Sequence, residues 1–128
     1  MAFFRRLFGR TTTPSEQLAT HDEQTVLVYL NGTELADEVY QQFDLATLED
    51  RLIAAIARRG VGVYDGHEFG PTNVVLFMYG PDADRLFTEI EPILRGYPLC
   101  ANARVVIRPG PPGTEERELT LWRVSSRR

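Results

Sequence analysis

Hydrophobic positions change their period several times along the chain, and each change predicts a new element. The first regular stretch is Gln24–Leu30, where apolar residues fall on both faces of a β-strand and therefore predict an inner strand. Asn31-Gly32 ends this strand with turn chemistry. Thr33–Phe43 is mostly polar with a weak helical spacing, so a short helix and an ordered loop both fit it.

Asp44–Arg59 carries the clearest helical pattern. Its leucines and isoleucines recur at intervals of three and four residues, which places them on one helix face. Asp44 suits the N-cap because its carboxylate can accept hydrogen bonds from unpaired backbone N–H groups. Glu49 and Asp50 lie towards the start and two arginines at the end, as the helix dipole prefers. Gly60 fits the left-handed position after the helix.

The middle of the chain, Val61–Gly80, indicates two strands joined by a polar loop. Val61 and Val63 lead into this loop, Tyr64–Gly70, which is rich in turn residues. The chain returns as Asn73–Tyr79, a run that is apolar on both faces. This second strand is therefore expected inside a sheet.

A second amphipathic helix is predicted after Gly80-Pro81. Proline is tolerated in the first helical turn, and Asp82 and Asp84 favour a helix N-terminus. Pro92 interrupts the later apolar pattern, so a kink or a new turn is expected near Glu89.

The residue pattern at the end of the domain predicts a β-hairpin. Arg104–Arg108 is a short strand pattern, and Glu116–Val124 alternates as a one-sided strand does. Pro109–Gly113 forms a stiff turn between them. Antiparallel pairing of the two runs is the simplest arrangement.

These elements give the order β-α-β-β-α-β with one added C-terminal strand. The order predicts an α+β sandwich of ferredoxin-like type, with two helices on one face of a mainly antiparallel sheet. Right-handed crossovers would place the first and third strands side by side in the middle, in agreement with their two-faced apolar patterns. We expect a tail and linker over 1–23, one domain over 24–124 and a short tail over 125–128.

The charge is unevenly distributed, which bears on the choice of partner. All 14 basic residues are arginine; eight of them lie between residues 11 and 122 with all 18 acidic residues, a balance of −10. An acidic body repels phosphate backbones and argues against nucleic acid as the main partner. It is compatible with a basic protein partner, and neutralisation of a toxin is one version of that hypothesis. The lack of a long apolar run or signal-peptide pattern favours a cytoplasmic location.

The first ten residues combine apolar and basic side chains. On a helix, Phe3, Phe4, Leu7 and Phe8 would share one face. Such a segment can rest on an anionic membrane surface, which would make the protein a peripheral membrane adaptor. It spans only about two turns, and helices below ~12–15 residues are marginal in water. A frayed tail, or a tail docked in a hydrophobic groove, is therefore the simpler expectation.

Tyr64, Asp65, His67 and Glu68 are the candidate catalytic residues of the central loop. His67 could act as a general base oriented by Glu68, or as a metal ligand beside Asp65 and Glu68. The alternative is a purely polar connection, because the loop contains two common turn dipeptides. A metal site would need further ligands, and the only other histidine, His21, falls in the predicted linker.

Several chemistries are excluded by residues that the body of the chain lacks. Serine occurs only at positions 15, 125 and 126, which argues against a Ser-His-Asp hydrolase. The absence of lysine excludes Schiff-base chemistry and a P-loop, and no pattern predicts a cofactor. Cys100 is expected to be a buried structural thiol. Trp122 is expected either as an exposed anchor at an interface or as part of the core.

The run YDGHEFG…VVLFMYGPDADRLFTEIEPIL contains a DGxExG loop and a YGPDAD helix start. With these motifs the chain resembles a family of small bacterial α+β proteins of uncharacterised function, over about residues 24–122. The resemblance supports the fold and brings no activity, cofactor or catalytic residue with it.

The sequence thus favours a non-enzymatic binding protein whose partner is another protein or a second copy of itself. The contact surface would be the open face of the sheet or an edge strand. The rival hypothesis is a small-ligand-binding protein or enzyme that uses the loop Tyr64–Gly70, and the third is the membrane adaptor.

Overall fold

The computed structural model describes residues 24–110 and 113–125. Within these ranges five strands form one antiparallel sheet, with the order β2-β3-β1-β4-β5. The strands are β1 (Gln24–Asn31), β2 (Val63–Phe69), β3 (Asn73–Gly80), β4 (Arg104–Arg108) and β5 (Arg117–Thr120). The α-helices are α1 (Asp37–Gln42), α2 (Leu45–Arg59) and α3 (Ala83–Arg95).

Strand β1 is the centre of the sheet. It pairs antiparallel with β3 on one side and with β4 on the other, so that Val28 lies between Leu76 and Val105. The predicted pairing of the first and third strands is therefore confirmed, and so is the α+β class. For Thr33–Phe43 the sequence left a short helix and an ordered loop open, and the structure contains the short helix α1 there.

Both long helices cover the same face of the sheet. The inward side chains of β1, Val26, Val28 and Leu30, are at most 2% exposed. They belong to one core cluster with Leu52 of α2 and Ile90 of α3. Because one side of β1 meets residues from both helices, the two helices form a single layer. Full burial of each such side chain contributes about 1.5–3 kcal/mol.

Helix α2 begins and ends as its sequence predicts. Asp44 Oδ2 accepts a hydrogen bond from the backbone N–H of Thr47, and Asp44 Oδ1 accepts one from the Thr47 hydroxyl at 2.7 Å. The hydroxyl donor is the main reason that the pKa of Asp44 lies below its ordinary value. At the other end, Gly60 adopts φ 63° and its N–H donates to the carbonyl of Ile56. Glycine occupies this left-handed position without a steric cost.

The prediction of a loop over Tyr64–Gly70 is wrong for most of these residues. The segment up to Phe69 is strand β2, and the connection to β3 occupies only residues 70–72. Asp65-Gly66, a dipeptide that is common in turns, instead forms a β-bulge within the strand.

Two further predictions need correction. Of the kink or new turn expected near Glu89, the new turn is wrong, because helix α3 is continuous through Pro92 to its last residue, Arg95. The buried residue Leu94, beyond the proline, favours this continuation because it needs helical spacing to reach the core. Strand β5 is shorter than the predicted Glu116–Val124, although the backbone N–H of Leu121 still donates to the carbonyl of Ala103.

Candidate functional site

Strand β2 lies at one edge of the sheet and contains the bulge. Tyr64 pairs with Met78 and Gly66 pairs with Phe77, so the register shifts by one residue at Asp65. Gly66 has φ 121°, a conformation that residues with a side chain rarely adopt. The glycine therefore makes the bulge possible.

The bulge decides which side chains of β2 share a face. Tyr64 and His67 are three residues apart, and in a regular strand they would point to opposite faces. With the extra residue between them, their partners in β3 are Met78 and Leu76, which are both fully buried. Tyr64 and His67 thus both lie on the helix side of the sheet, beside α2.

Glu49 of α2 binds both side chains. The Tyr64 hydroxyl donates to Glu49 Oε2 at 2.6 Å, and His67 Nδ1 lies 2.6 Å from the same oxygen. The side chain of Glu49 is only 16% exposed. A carboxylate withdrawn from water needs hydrogen-bond donors, and distances this short are typical of charge-assisted bonds. We call Glu49, Tyr64 and His67 the α2–β2 cluster.

The hydrogen bonds of the cluster fix its protons. Burial raises the pKa of Tyr64, and the hydrogen bond to Glu49 raises it further, so the hydroxyl remains the donor. The carboxylate of Glu49 only accepts, and His67 Nδ1 must therefore carry a hydrogen in order to bond to it. In the neutral ring the lone pair is then on Nε2, which can accept a proton or bind a ligand.

The candidate residues of the sequence analysis are only partly brought together. Tyr64 and His67 share one partner, whereas Asp65 and Glu68 are exposed. Glu68 pairs with Val75, on the face away from the helices, so it does not orient His67. That role belongs to Glu49. Glu49 was not among the candidate residues because only the bulge turns Tyr64 and His67 towards its helix.

The face of the sheet away from the helices carries mainly apolar side chains in its centre. Leu27 lies between Phe77 and Val106, and Tyr29 lies next to Val75. We call this surface the open face, and its apolar members are Leu27, Tyr29, Val63, Val75, Phe77, Tyr79 and Val106. None of them belongs to the core cluster that the two long helices contact.

Charged residues border the open face on both sides. The guanidinium group of Arg104 lies 4.1 Å above the ring of Tyr29, and its Nη1 is 3.2 Å from Glu118. Arg108 donates to the hydroxyl of Thr25 at 2.8 Å. On the β2 side, the border residue is the acidic Glu68. The open face therefore combines an apolar centre with one margin on which Arg104 and Arg108 each form an ion pair with a glutamate of their own chain, and an opposite margin that carries Glu68.

An apolar groove lies at the end of the sheet where β1 ends and β3 begins. It has a volume of about 390 Å³. The groove, which we call the Phe69 groove, is lined by Leu30, Asn31, Gly32, Tyr40, Phe43, Asp44, Leu45, Phe69, Gly70, Pro71, Thr72, Asn73, Val74 and Leu99. Phe69 is 69% exposed, and its ring centre is 4.9 Å from that of His67. The groove thus adjoins the α2–β2 cluster.

The comparisons with known proteins gave no match. No family model fits the sequence, and no curated protein or solved structure is significantly similar to it. The resemblance to small bacterial proteins therefore stays a prediction.

Two other sequence predictions concern metals and membranes. Across residues 24–110 and 113–125, no group of three or more His, Cys, Asp or Glu side chains could hold a metal ion. In the same ranges no helix is long and apolar enough to cross a membrane. His21 and the four residues predicted for membrane contact, Phe3, Phe4, Leu7 and Phe8, lie outside the described residues.

Trp122 is partly buried and packs against the core cluster. It also lines a second cavity of about 480 Å³, together with Leu35, Val39 and Pro98. Trp122 therefore packs against the core, and its role as an anchor at an interface stays a prediction.

Proposed function

We propose that this protein is a non-enzymatic binding module, that its contact surface is the open face, and that its partner is a second copy of the chain. The observation that carries this proposal is the apolar centre of the open face, in which Leu27 adjoins Phe77 and Tyr29 adjoins Val75 outside the core cluster. Covering such a surface removes apolar area from water, and aromatic residues are enriched among binding hot spots.

The strand order is compatible with a symmetric pairing of two copies. A two-fold axis that runs parallel to the strands between β1 and β3 would lay β3 of one copy over β1 of the other. Phe77 would then face Leu27 of the second copy, and Val75 would face Tyr29. Two sheets that pack face to face in this way lie about 10 Å apart with their strands nearly aligned.

The charges on the margins support the same axis. It would place β2 of one copy over β4 of the other, so that Glu68 approaches Arg104 of the second copy. Gly66 has no side chain, so it adds no bulk opposite Val106 of the second copy, which is itself only 6% exposed. Opposite charges at the margin of an interface contribute mainly to orientation and specificity.

The edge strands are poorer contact surfaces than the open face. The edge strand β2 contains the bulge and the acidic residues Asp65 and Glu68, both of which hinder pairing with another strand. The opposite edge strand, β5, has only four residues. These features favour face-to-face contact over an extended intermolecular sheet.

We also propose that the fold is ferredoxin-like, as the order of the predicted elements suggests. The proposal is supported by the antiparallel pairing of β1 with both β3 and β4, and by the single layer of long helices. Strand β5 and helix α1 would then be additions to the basic unit.

A charge-swap experiment tests the proposed interface. Arg104→Glu would place an acidic side chain opposite Glu68 of the second copy, and Glu68→Arg would place two arginines opposite each other. Each substitution alone is expected to weaken self-association about tenfold, equivalent to 1.4 kcal/mol. A mixture of the two variants is expected to form the mixed dimer more tightly than either variant forms its own.

Matched controls are Arg85→Glu and Glu38→Arg, two exposed positions on helices away from the open face. They are expected to leave the association constant from sedimentation velocity unchanged. Equal effects of all four substitutions, or failure of the mixture to restore association, would contradict the proposed interface.

A second candidate function is small-ligand binding at His67. It is favoured by the 2.6 Å contact that fixes Nδ1 against Glu49 and leaves Nε2 as the acceptor. Its test is a titration of His67 signals by NMR against small carboxylic acids and phenols, with His67→Gln as the control. Such binding would leave the sedimentation behaviour of the protein unchanged, which separates this function from self-association.

A further inference from the structure

The Phe69 groove has the features of a binding site for an apolar segment that also carries positive charge. Its lining is mostly apolar, and it includes the aromatic rings of Tyr40, Phe43 and Phe69. Asp44 is the one charged residue among the described residues that line it. Because the pKa of Asp44 lies below its ordinary value, this carboxylate is ionised at neutral pH.

The exposure of Phe69 adds a second reason to expect an occupant. Its side chain is 69% exposed, the highest value among the large hydrophobic residues that the structure describes as exposed. Phe69 nevertheless faces the helix side of the sheet, because its partner Val74 packs against the core cluster. A segment bound in the groove would cover this ring and remove it from water.

The first ten residues of the chain have complementary chemistry. Phe3, Phe4, Leu7 and Phe8 supply apolar side chains, and Arg5, Arg6 and Arg10 supply positive charge. Arginine next to aromatic rings and a carboxylate gains both cation–π and charge-assisted contacts. The acidic balance of −10 between residues 11 and 122 acts in the same direction over longer distances.

The chain is also long enough for this contact. Strand β1 begins at Gln24, and the groove lies at its far end, beside Asn31 and Gly32. The separation is roughly 25 Å at the rise of a β-strand. Residues 11–23 can span on the order of 40 Å when extended, so the first ten residues can reach the groove of their own chain. A tether of this length raises the effective concentration of the segment into about the millimolar range.

We propose that Phe3–Phe8 of the same chain binds in the Phe69 groove. The apolar side chains of the segment contact Phe43 and Phe69, and an arginine lies near Asp44. This contact does not involve the open face, so it is independent of the proposed self-association.

Paramagnetic relaxation in the full-length protein tests this proposal. A nitroxide label is attached at Ala2→Cys in a Cys100→Ala background, and the backbone amide signals of the ¹⁵N-labelled protein are compared before and after reduction of the label. The expected result is a selective loss of signal at Gly32, Gly70 and Thr72. A control chain with serine at positions 3, 4, 7 and 8 is expected to keep these signals.

A second pair of variants tests the groove itself. Thr72→Arg adds bulk and positive charge to its wall and is expected to restore the signals. Thr88→Arg, at an exposed position of α3, is the matched control and is expected to leave the loss unchanged.

The outcomes separate the possible occupants. Loss of signal at Leu27 and Phe77 instead of the groove would overturn the proposal and assign the segment to the open face. Loss that occurs only between a labelled and an unlabelled molecule would assign the contact to a second copy. A label that affects no part of the domain, and becomes immobile only with vesicles containing phosphatidylserine, would overturn the proposal in favour of membrane attachment.

Discussion

Glu49 and His67 are joined across the boundary between helix α2 and the edge strand β2, with Glu49 Oε2 2.6 Å from His67 Nδ1. The same oxygen accepts the hydroxyl of Tyr64 at 2.6 Å. One helix residue therefore holds two residues of a strand that has a neighbour on only one side. The α2–β2 cluster thereby links the edge of the sheet to the helix layer.

Loss of the carboxylate at Glu49 should destabilise the protein. Glu49→Gln keeps the shape of the side chain but replaces charge-assisted bonds by neutral ones, and we expect the free energy of unfolding to fall by about 1–3 kcal/mol. The fixed tautomer of His67 should also be lost, which ¹⁵N NMR of the ring nitrogens can detect. Asp50→Asn, at the neighbouring exposed position, should change stability by less than about 0.5 kcal/mol. Equal losses in the two variants would contradict a special role for Glu49.

The bulge should be sensitive to any side chain at Gly66. An added Cβ meets no other atom within 4 Å, so Gly66→Ala acts through the backbone at φ 121° and not through a clash. We expect the strain to cost about 1–3 kcal/mol in urea unfolding. Thr72→Ala, in the nearby turn, is the control and should be close to neutral. If Gly66→Ala were equally neutral, the bulge would not require glycine.

Because of the Cys100 thiol, the free energy of unfolding should decrease as the pH rises in the alkaline range. Burial raises the pKa of Cys100 from 9.0 to about 12. The folded protein therefore keeps this proton at pH values where the unfolded chain loses it, so the contribution is complete below pH 9 and is lost as the pH rises towards 12. Between pH 9 and 10, unfolding measurements should show stability falling by up to about 1.4 kcal/mol per pH unit.

Cys100→Ala provides the control for this pH dependence. It should remove most of the slope between pH 9 and 10, whereas Tyr64→Phe should affect only the range above about pH 10, the ordinary pKa of tyrosine. A slope that persists in Cys100→Ala would show that another group titrates.

The sequence predicted helices and strands best where several local signals agree with one another. Asp44 and Gly60 specify the ends of helix α2, and both adopt the expected geometry. The two-faced apolar pattern of β1 and β3 predicted inner strands, and each of them has a neighbouring strand on both edges.

The candidate site was harder to predict because it depends on one inserted residue. Asp65-Gly66 is compatible with a turn or with a bulge, and local chemistry does not distinguish them. Only pairing with β3 shows that Tyr64 and His67 share a face. Glu49 is 18 residues away from His67 in sequence, so no local motif connects them. The low helix propensity of proline predicted an interruption at Pro92. Helix α3 nevertheless continues through this residue because tertiary contacts stabilise it.

The centre of the open face should govern association and not folding. Phe77→Glu would place a charge in the proposed interface, and we expect self-association to be lost because a buried unpaired carboxylate is strongly unfavourable. Phe77 is only half-buried in the monomer, so a glutamate there can reach solvent and the far-UV circular dichroism spectrum should be preserved. Thr72→Glu, an exposed position outside the open face, is the control and should leave association unchanged.

Sedimentation equilibrium of the full-length chain over a range of concentrations tests the central claim most directly. We predict a mass of twice 14.5 kDa at high concentration, which falls to that of one chain on dilution and stays there for Phe77→Glu. A mass of 14.5 kDa at every concentration, or a dimer that survives Phe77→Glu unchanged, would contradict self-association through the open face.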